Sequence, residues 1–223
     1  MVQTSTLRLA VLLAAGLAVA PLGVTRADAF QDPDQAPPIV QPGAPGQPNK
    51  TLDAREATDL SKVGFTPADV EFMQGMIHHH QQAVEMTALL KTHSTDPQMQ
   101  LLGERISISQ QDEIKMMRNW LTARGQALPD EHAMHMPGAM LMPGMLTPEE
   151  MARLAAAKGP EFDRLFLAGM IKHHGGAVSM VKDLFNSPGA GQEGEMYAFA
   201  SDVVADQRME IDRMAAMLKE REK

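Results

Sequence analysis

The sequence predicts an all-α protein: an antiparallel four-helix bundle made from two copies of one helical hairpin. Three observations lead there. Thr or Asp followed by Pro recurs just ahead of apolar stretches, the apolar residues within those stretches recur at steps of three and four, and the stretches themselves return later in the chain. β-branched alternation is absent and aromatic residues make up 4% of the chain, so no strand is predicted.

The first 29 residues have the form of an export signal. Arg8 supplies a positive start, Leu9 to Ala20 is an apolar run shorter than the roughly 20 residues of a membrane-spanning helix, and Ala27-Asp28-Ala29 offers a cleavage site of small residues. Residues 30–59 carry Pro33, Pro37, Pro38, Pro42, Pro45 and Pro48 among Gln and Gly, which reads as an extended, largely disordered leader. Residues 60–223 remain for one domain with a real core. No later stretch is apolar enough to span a membrane, so the mature protein is expected to be soluble in the periplasm or outside the cell.

Helix punctuation divides that domain. Thr66-Pro67-Ala68-Asp69 places an N-cap, Pro at the first helical position and an acid in the first turn. Asp96-Pro97 repeats the device, and Thr147-Pro148-Glu149-Glu150 adds a capping box. The predicted helices run from about Pro67 to Lys91, Pro97 to Arg124, Pro148 to Ala157 (short), Pro160 to Phe185 and Glu193 to Arg221. They group as a first hairpin (60–125), a linker (126–147) and a second hairpin (148–223).

Duplication supports this grouping. Met76-Ile77-His78-His79-His80 returns as Met170-Ile171-Lys172-His173-His174, with Phe72, Gly75, Ala83, Val84 and Met86 matched by Phe166, Gly169, Ala177, Val178 and Met180. Ile106, Gln110, Glu113, Ile114, Met117 and Leu121 are likewise matched by Val203, Gln207, Glu210, Ile211, Met214 and Leu218. Each helix is amphipathic and buries its face only by packing on others.

The repeated residues also carry chemistry. About 100° separates successive helical residues, so Met76 shares one patch with His79 and His80, and Met170 shares one with His173 and His174. Met73 extends the first patch and Met180 the second. If the two helices meet across the core, four imidazoles and several thioethers converge. Imidazole with thioether suits a soft ion, and copper is the metal for which both make sense. The linker Glu131 to Leu146 (EHAMHMPGAMLMPGML) is kept from helix by two Pro-Gly pairs, and its His135 and Met136 offer a second, flexible site. By the repeat, His78 aligns with Lys172 and is expected to face solvent. Glu113 and Glu210 are placed to hydrogen-bond the imidazoles.

Composition limits the alternatives. The net charge of −8 argues against nucleic acid and anionic membranes as partners. With no Cys there are no disulfides and no haem c attachment, and any copper site must use Met and His. A di-iron carboxylate bundle needs Glu-x-x-His motifs, and no His here has Glu three residues before it. No nucleophile–base motif, phosphate loop or zinc-protease signature is present.

The pattern Phe-x-x-x-Met-Ile-x-His-His-x-x-Ala-Val-x-Met, written twice, resembles the exported family catalogued as domain of unknown function 305. So does the stretch Met142-Pro143-Gly144-Met145-Leu146-Thr147-Pro148-Glu149-Glu150 running into Phe162-Asp163-Arg164-Leu165-Phe166. The resemblance covers about residues 60–221. It implies a ferritin-like four-helix bundle, a periplasmic or extracellular setting, and the copper binding or copper tolerance attached to some members. The matching positions are Met76, His79, His80, Met170, His173 and His174.

The expectation is therefore an exported protein that binds copper through His79, His80, His173 and His174, with Met76 and Met170 beside them, for sequestration, tolerance or transfer to copper-handling proteins. A metal-dependent redox enzyme, for example one oxidising cuprous ion, and a non-catalytic interaction domain are the alternatives.

Overall fold

The computed structural model describes residues 38–41, 48–58, 64–130 and 141–221. The chain divides into two units, residues 1–57 and 58–223. In the first, strands β1 (Ile39–Gln41) and β2 (Lys50–Leu52) pair antiparallel, Val40 opposite Thr51, and the five-residue helix α1 (Ala54–Thr58) follows. The leader thus holds a short strand pair that the sequence reading did not predict. Its strands are three residues each, too brief for alternation to register, and they carry the β-branched Ile39, Val40 and Thr51.

The second unit is all-α: α2 (Pro67–His93), α3 (Pro97–Ala123), the short α4 (Pro148–Ala156), α5 (Gly159–Asn186) and α6 (Gly194–Arg221). The caps are those the sequence announces. Thr66 Oγ1 accepts from the Asp69 N–H at 3.3 Å, while Asp69 Oδ2 accepts from the Thr66 N–H at 2.7 Å. Asp69 is fully buried, and its other oxygen takes the Gly191 N–H at 2.6 Å, so one carboxylate caps α2 and holds the α5–α6 turn. Asp96 caps α3 through the Gln98 N–H, and Thr147 and Glu150 form the capping box of α4.

Two apolar clusters reveal how the helices run. One joins Phe72, Met73, Met76 and Ile77 at the start of α2 to Met117, Trp120 and Leu121 at the end of α3. It also takes Val181 and Leu184 from the end of α5 and Met196 to Val203 from the start of α6. The other joins the end of α2 (Ala83, Met86, Leu90) and the start of α3 (Met99, Leu102, Ile106) to the start of α5 (Phe162, Phe166, Leu167, Met170) and to Met214 of α6. The order is therefore up-down-down-up, α2 antiparallel to α5. The connection from α3 to α5 must travel the length of the bundle, as in ferritin-like folds with one long crossover.

Candidate metal centre

Between the two apolar clusters every long helix becomes polar. On α2 the residues between Ile77 and Ala83 are His78 to Gln82. On α3 Gln110 and Glu113 fall between Ile106 and Met117. On α5 His173 and His174 fall between Met170 and Ala177, and on α6 Gln207 and Glu210 fall between Val203 and Met214. His79, His80, His173 and His174 have no exposed surface, and Gln110 and Gln207 have almost none. The duplication has thus placed a polar layer across the middle of an otherwise dry core, where each unpaired polar group is costly.

The hydrogen bonds of this layer fix how the imidazoles are oriented. His79 Nε2 donates to the Pro143 carbonyl at 3.0 Å, and His173 Nε2 donates to the main-chain carbonyl of His79 at 2.8 Å. A carbonyl only accepts, so in both rings the proton sits on Nε2 and Nδ1 presents a lone pair. His80 Nε2 meets Glu113 Oε2 and His174 Nε2 meets Glu210 Oε2, both at 2.6 Å. Glu113 Oε1 accepts from Ser109 Oγ at 3.1 Å, and Glu210 Oε1 accepts from Arg105 Nε at 3.3 Å. With carboxylates as acceptors, Nε2 of both rings carries a proton.

All four Nδ1 atoms are buried without a hydrogen-bond partner among the described residues, as are the Oε1 atoms of Gln110 and Gln207. These six atoms are three pairs related by the repeat. In the tautomers derived for His79 and His173 their Nδ1 atoms are acceptors, as are the two glutamine oxygens. The rings form a row: centroids lie 6.1 Å apart from His80 to His79, 3.8 Å from His79 to His173, and 6.2 Å from His173 to His174.

The electrostatics agree with neutral rings at His79 and His173. Burial first, then the neighbouring imidazoles, lowers His79 from 6.5 to about 3, against the raising effect of the Pro143 carbonyl. His173 is lowered well below 6.5, again by burial first and then by the other three rings. For Glu113, burial acts to raise the carboxyl, but the hydrogen bonds from His80 and Ser109 outweigh it and hold it below its usual range. On the outer side, Asp206 of α6 is raised by burial and by Glu113, Asp202 and Glu210.

The predicted residues are distributed unequally. The four histidines come together. Met76 and Met170 are fully buried but lie on opposite sides of the layer, one in each apolar cluster; Met73 lies with Met76, and Met180 is partly buried against that cluster. Among the described residues, no three His, Asp or Glu side chains are gathered as a ready-made set around one ion. The export signal at residues 1–29 and the linker residues His135 and Met136 lie outside the described residues.

His78 departs from expectation. It is buried, with Nδ1 on Gln81 Oε1 at 3.1 Å, whereas its repeat counterpart Lys172 is half-exposed and reaches Glu150. The crossover touches α2 at Gly75, through Met142, and at Gln82, through Leu146. His78 lies between these points, which accounts for its burial. The sequence reading also left Gln110 and Gln207 without a role, although their recurrence one turn before each Glu was visible.

No helix among the described residues is long and apolar enough to cross a membrane. The bundle resembles solved structures over most of their length. The crystal structure of a DUF305 protein of Streptomyces coelicolor, a candidate secreted protein, is 33% identical over 69% of this chain and 93% of that one, with a TM-score of 0.61. CopM in its Cu(I)-bound form is 27% identical over 70% of this chain and 98% of that one, with a TM-score of 0.54. CopM has also been solved in Cu(II)-bound and Ag-bound forms. The uncharacterized protein L153 of Acanthamoeba polyphaga mimivirus is 38% identical over 56 residues, covering 25% of this chain and 37% of that protein. The profile of the family described as Domain of unknown function (DUF305) matches residues 69–218, and the chain belongs to that family.

Proposed function

We propose that the protein binds copper in the polar layer at the middle of its bundle, through the Nδ1 atoms of His79, His80, His173 and His174. The observation that carries this reading is the cluster of buried, unpartnered polar atoms in the layer, with bare Nδ1 lone pairs on His79 and His173. Six buried polar atoms there have no hydrogen-bond partner among the described residues. A cation satisfies such a layer, because burying polar atoms without partners costs about 1–3 kcal/mol each. The Nε2–H groups are already held by two carbonyls and two carboxylates, the arrangement that orients metal-binding histidines elsewhere.

Copper is favoured over zinc by the remaining donors. Among the described residues no three His, Asp or Glu side chains are gathered around one point as a zinc set would be. Thioethers stand one helical turn away instead, Met76 before His79 and Met170 before His173, and cuprous ion accepts thioether alongside imidazole. CopM, similar in fold and sequence, holds Cu(I), Cu(II) and Ag in its solved forms. The role is sequestration or transfer of the ion in the periplasm or outside the cell, and the linker His135 and Met136 serve its capture.

Anaerobic titration of the metal-free chain with Cu(I) against a chromophoric chelator tests this. The parent is expected to compete. A variant with all four histidines replaced by Ala, still helical by circular dichroism, is expected not to. Equal competition by the two proteins would exclude the layer as the site.

A further inference from the structure

We propose that the crossover segment Met142–Leu146 is a positioning strap for His79, and that Gly176 on α5 is the residue that seats it. The repeat makes the need for such a strap visible. His173 is oriented from within the helices, by the main-chain carbonyl of His79. The symmetric arrangement would turn His79 onto a carbonyl of α5. Its Nε2 instead donates to Pro143, a residue of the crossover. One central imidazole is thus held by a helix and the other by a loop, and the loop must itself be held.

It is held at two positions that the duplication makes equivalent, Gln82 on α2 and Gly176 on α5. Gln82 Oε1 accepts from the Leu146 N–H at 2.7 Å, and its Nε2 donates to the Leu146 carbonyl at 2.9 Å. On α5 the strap packs backbone against backbone. A Cβ on Gly176 would stand 1.8 Å from the Pro143 oxygen, the atom that receives the His79 proton. A Cβ on Gly144, whose φ is +76°, would stand 2.4 Å from the Lys172 oxygen. Neither clash can be relieved by turning a side chain. Gly175, next door, has open space at its Cβ position. Glycine inside a helix costs about 1 kcal/mol relative to Ala, and at Gly176 the strap explains why it stands there.

The consequence for His79 is chemical. The Pro143 carbonyl keeps the proton on Nε2 and so leaves Nδ1 bare toward the layer. If the strap lifts, His79 loses the acceptor that fixes its tautomer and its ring angle, while His173 keeps its own.

Long-range proton–nitrogen spectra of the imidazoles in the metal-free full-length chain read this directly, and Cu(I) competition reads its effect. G176A is expected to convert His79 from a pure Nε2–H form to a mixture of tautomers, to leave His173 unchanged, and to weaken Cu(I) binding ten- to a hundredfold. G175A is expected to change neither. Q82A releases the other anchor without a backbone clash and is expected to act in the same direction, so the test does not depend on G176A folding. The strap is overturned if His79 keeps its pure Nε2–H form in both G176A and Q82A, or if His79 and His173 change together. The affinity effect rests on the copper-binding reading, whereas the tautomer effect does not. A His79 shift with unaltered Cu(I) affinity therefore supports the strap and counts against copper at His79.

Discussion

The rings of His79 and His173 face each other at 3.8 Å between centroids and 37° between planes, each with Nε2 on a main-chain carbonyl. Two buried imidazoles at this distance cannot both be charged, and their proton-bearing nitrogens are already engaged. What they offer the layer between the apolar clusters is a pair of lone pairs, flanked by the buried, unpartnered Nδ1 atoms of His80 and His174.

Acid should therefore unfold the metal-free protein early. His79 is lowered to about 3 from 6.5, and His173 is lowered in the same direction. Both rings take up a proton near 6.5 when unfolded but not when folded. Their contribution to stability is complete above pH 6.5 and is lost progressively as the pH falls from there, for His79 down to about 3. Each imidazole adds a slope of about 1.4 kcal/mol per pH unit. Urea denaturation at pH 7.5 and pH 5 is expected to differ by about 2 kcal/mol from His79 alone, with His173 acting in the same direction. H79L should remove the His79 share of that difference.

Copper should oppose the same unfolding. An ion that binds only the folded state at a free concentration of a hundred times its Kd adds about 2.7 kcal/mol. For a domain of this size that raises Tm by about 5–10 °C. The rise, followed by circular dichroism under anaerobic Cu(I), should vanish in the variant lacking the four histidines.

The two carboxylates should matter alike. Glu113 and Glu210 hold His80 and His174 at the same 2.6 Å distance on repeat-related helices. Removing either side chain, E113A or E210A, is expected to weaken Cu(I) binding ten- to a hundredfold, while Gln, which still accepts through its amide oxygen, loses less. Chelator competition on the four single variants checks both the size and the ordering.

The glutamines should reveal a trade of stability for function. The Oε1 atoms of Gln110 and Gln207 are buried without partners among the described residues. Leu at either position removes an unpaired acceptor from the core, so Q110L and Q207L are expected to stabilise the metal-free protein by about 1–3 kcal/mol. Thermal melts of the two variants beside the parent measure this.

Much of the fold was legible because its signals are local. Thr66-Pro67, Asp96-Pro97 and Thr147-Pro148 mark helix starts through contacts within three residues, and the observed helices begin there. The histidine quartet was legible because the motif is written twice. The crossover was not, since its contacts with Gly75, Gln82 and Gly176 join residues far apart in the sequence. It buries His78, which the repeat alone placed in solvent, and it supplies the carbonyl that orients His79. Nor does periodicity tell which ring nitrogen faces the layer, because that depends on atoms brought from other helices.

Proton–nitrogen spectra of the imidazoles recorded while Cu(I) is added test the central claim most directly. The account predicts that the Nδ1 resonances of His79, His80, His173 and His174 move with copper while their Nε2 protons remain. Copper that binds while those four Nδ1 resonances stay in place would contradict it.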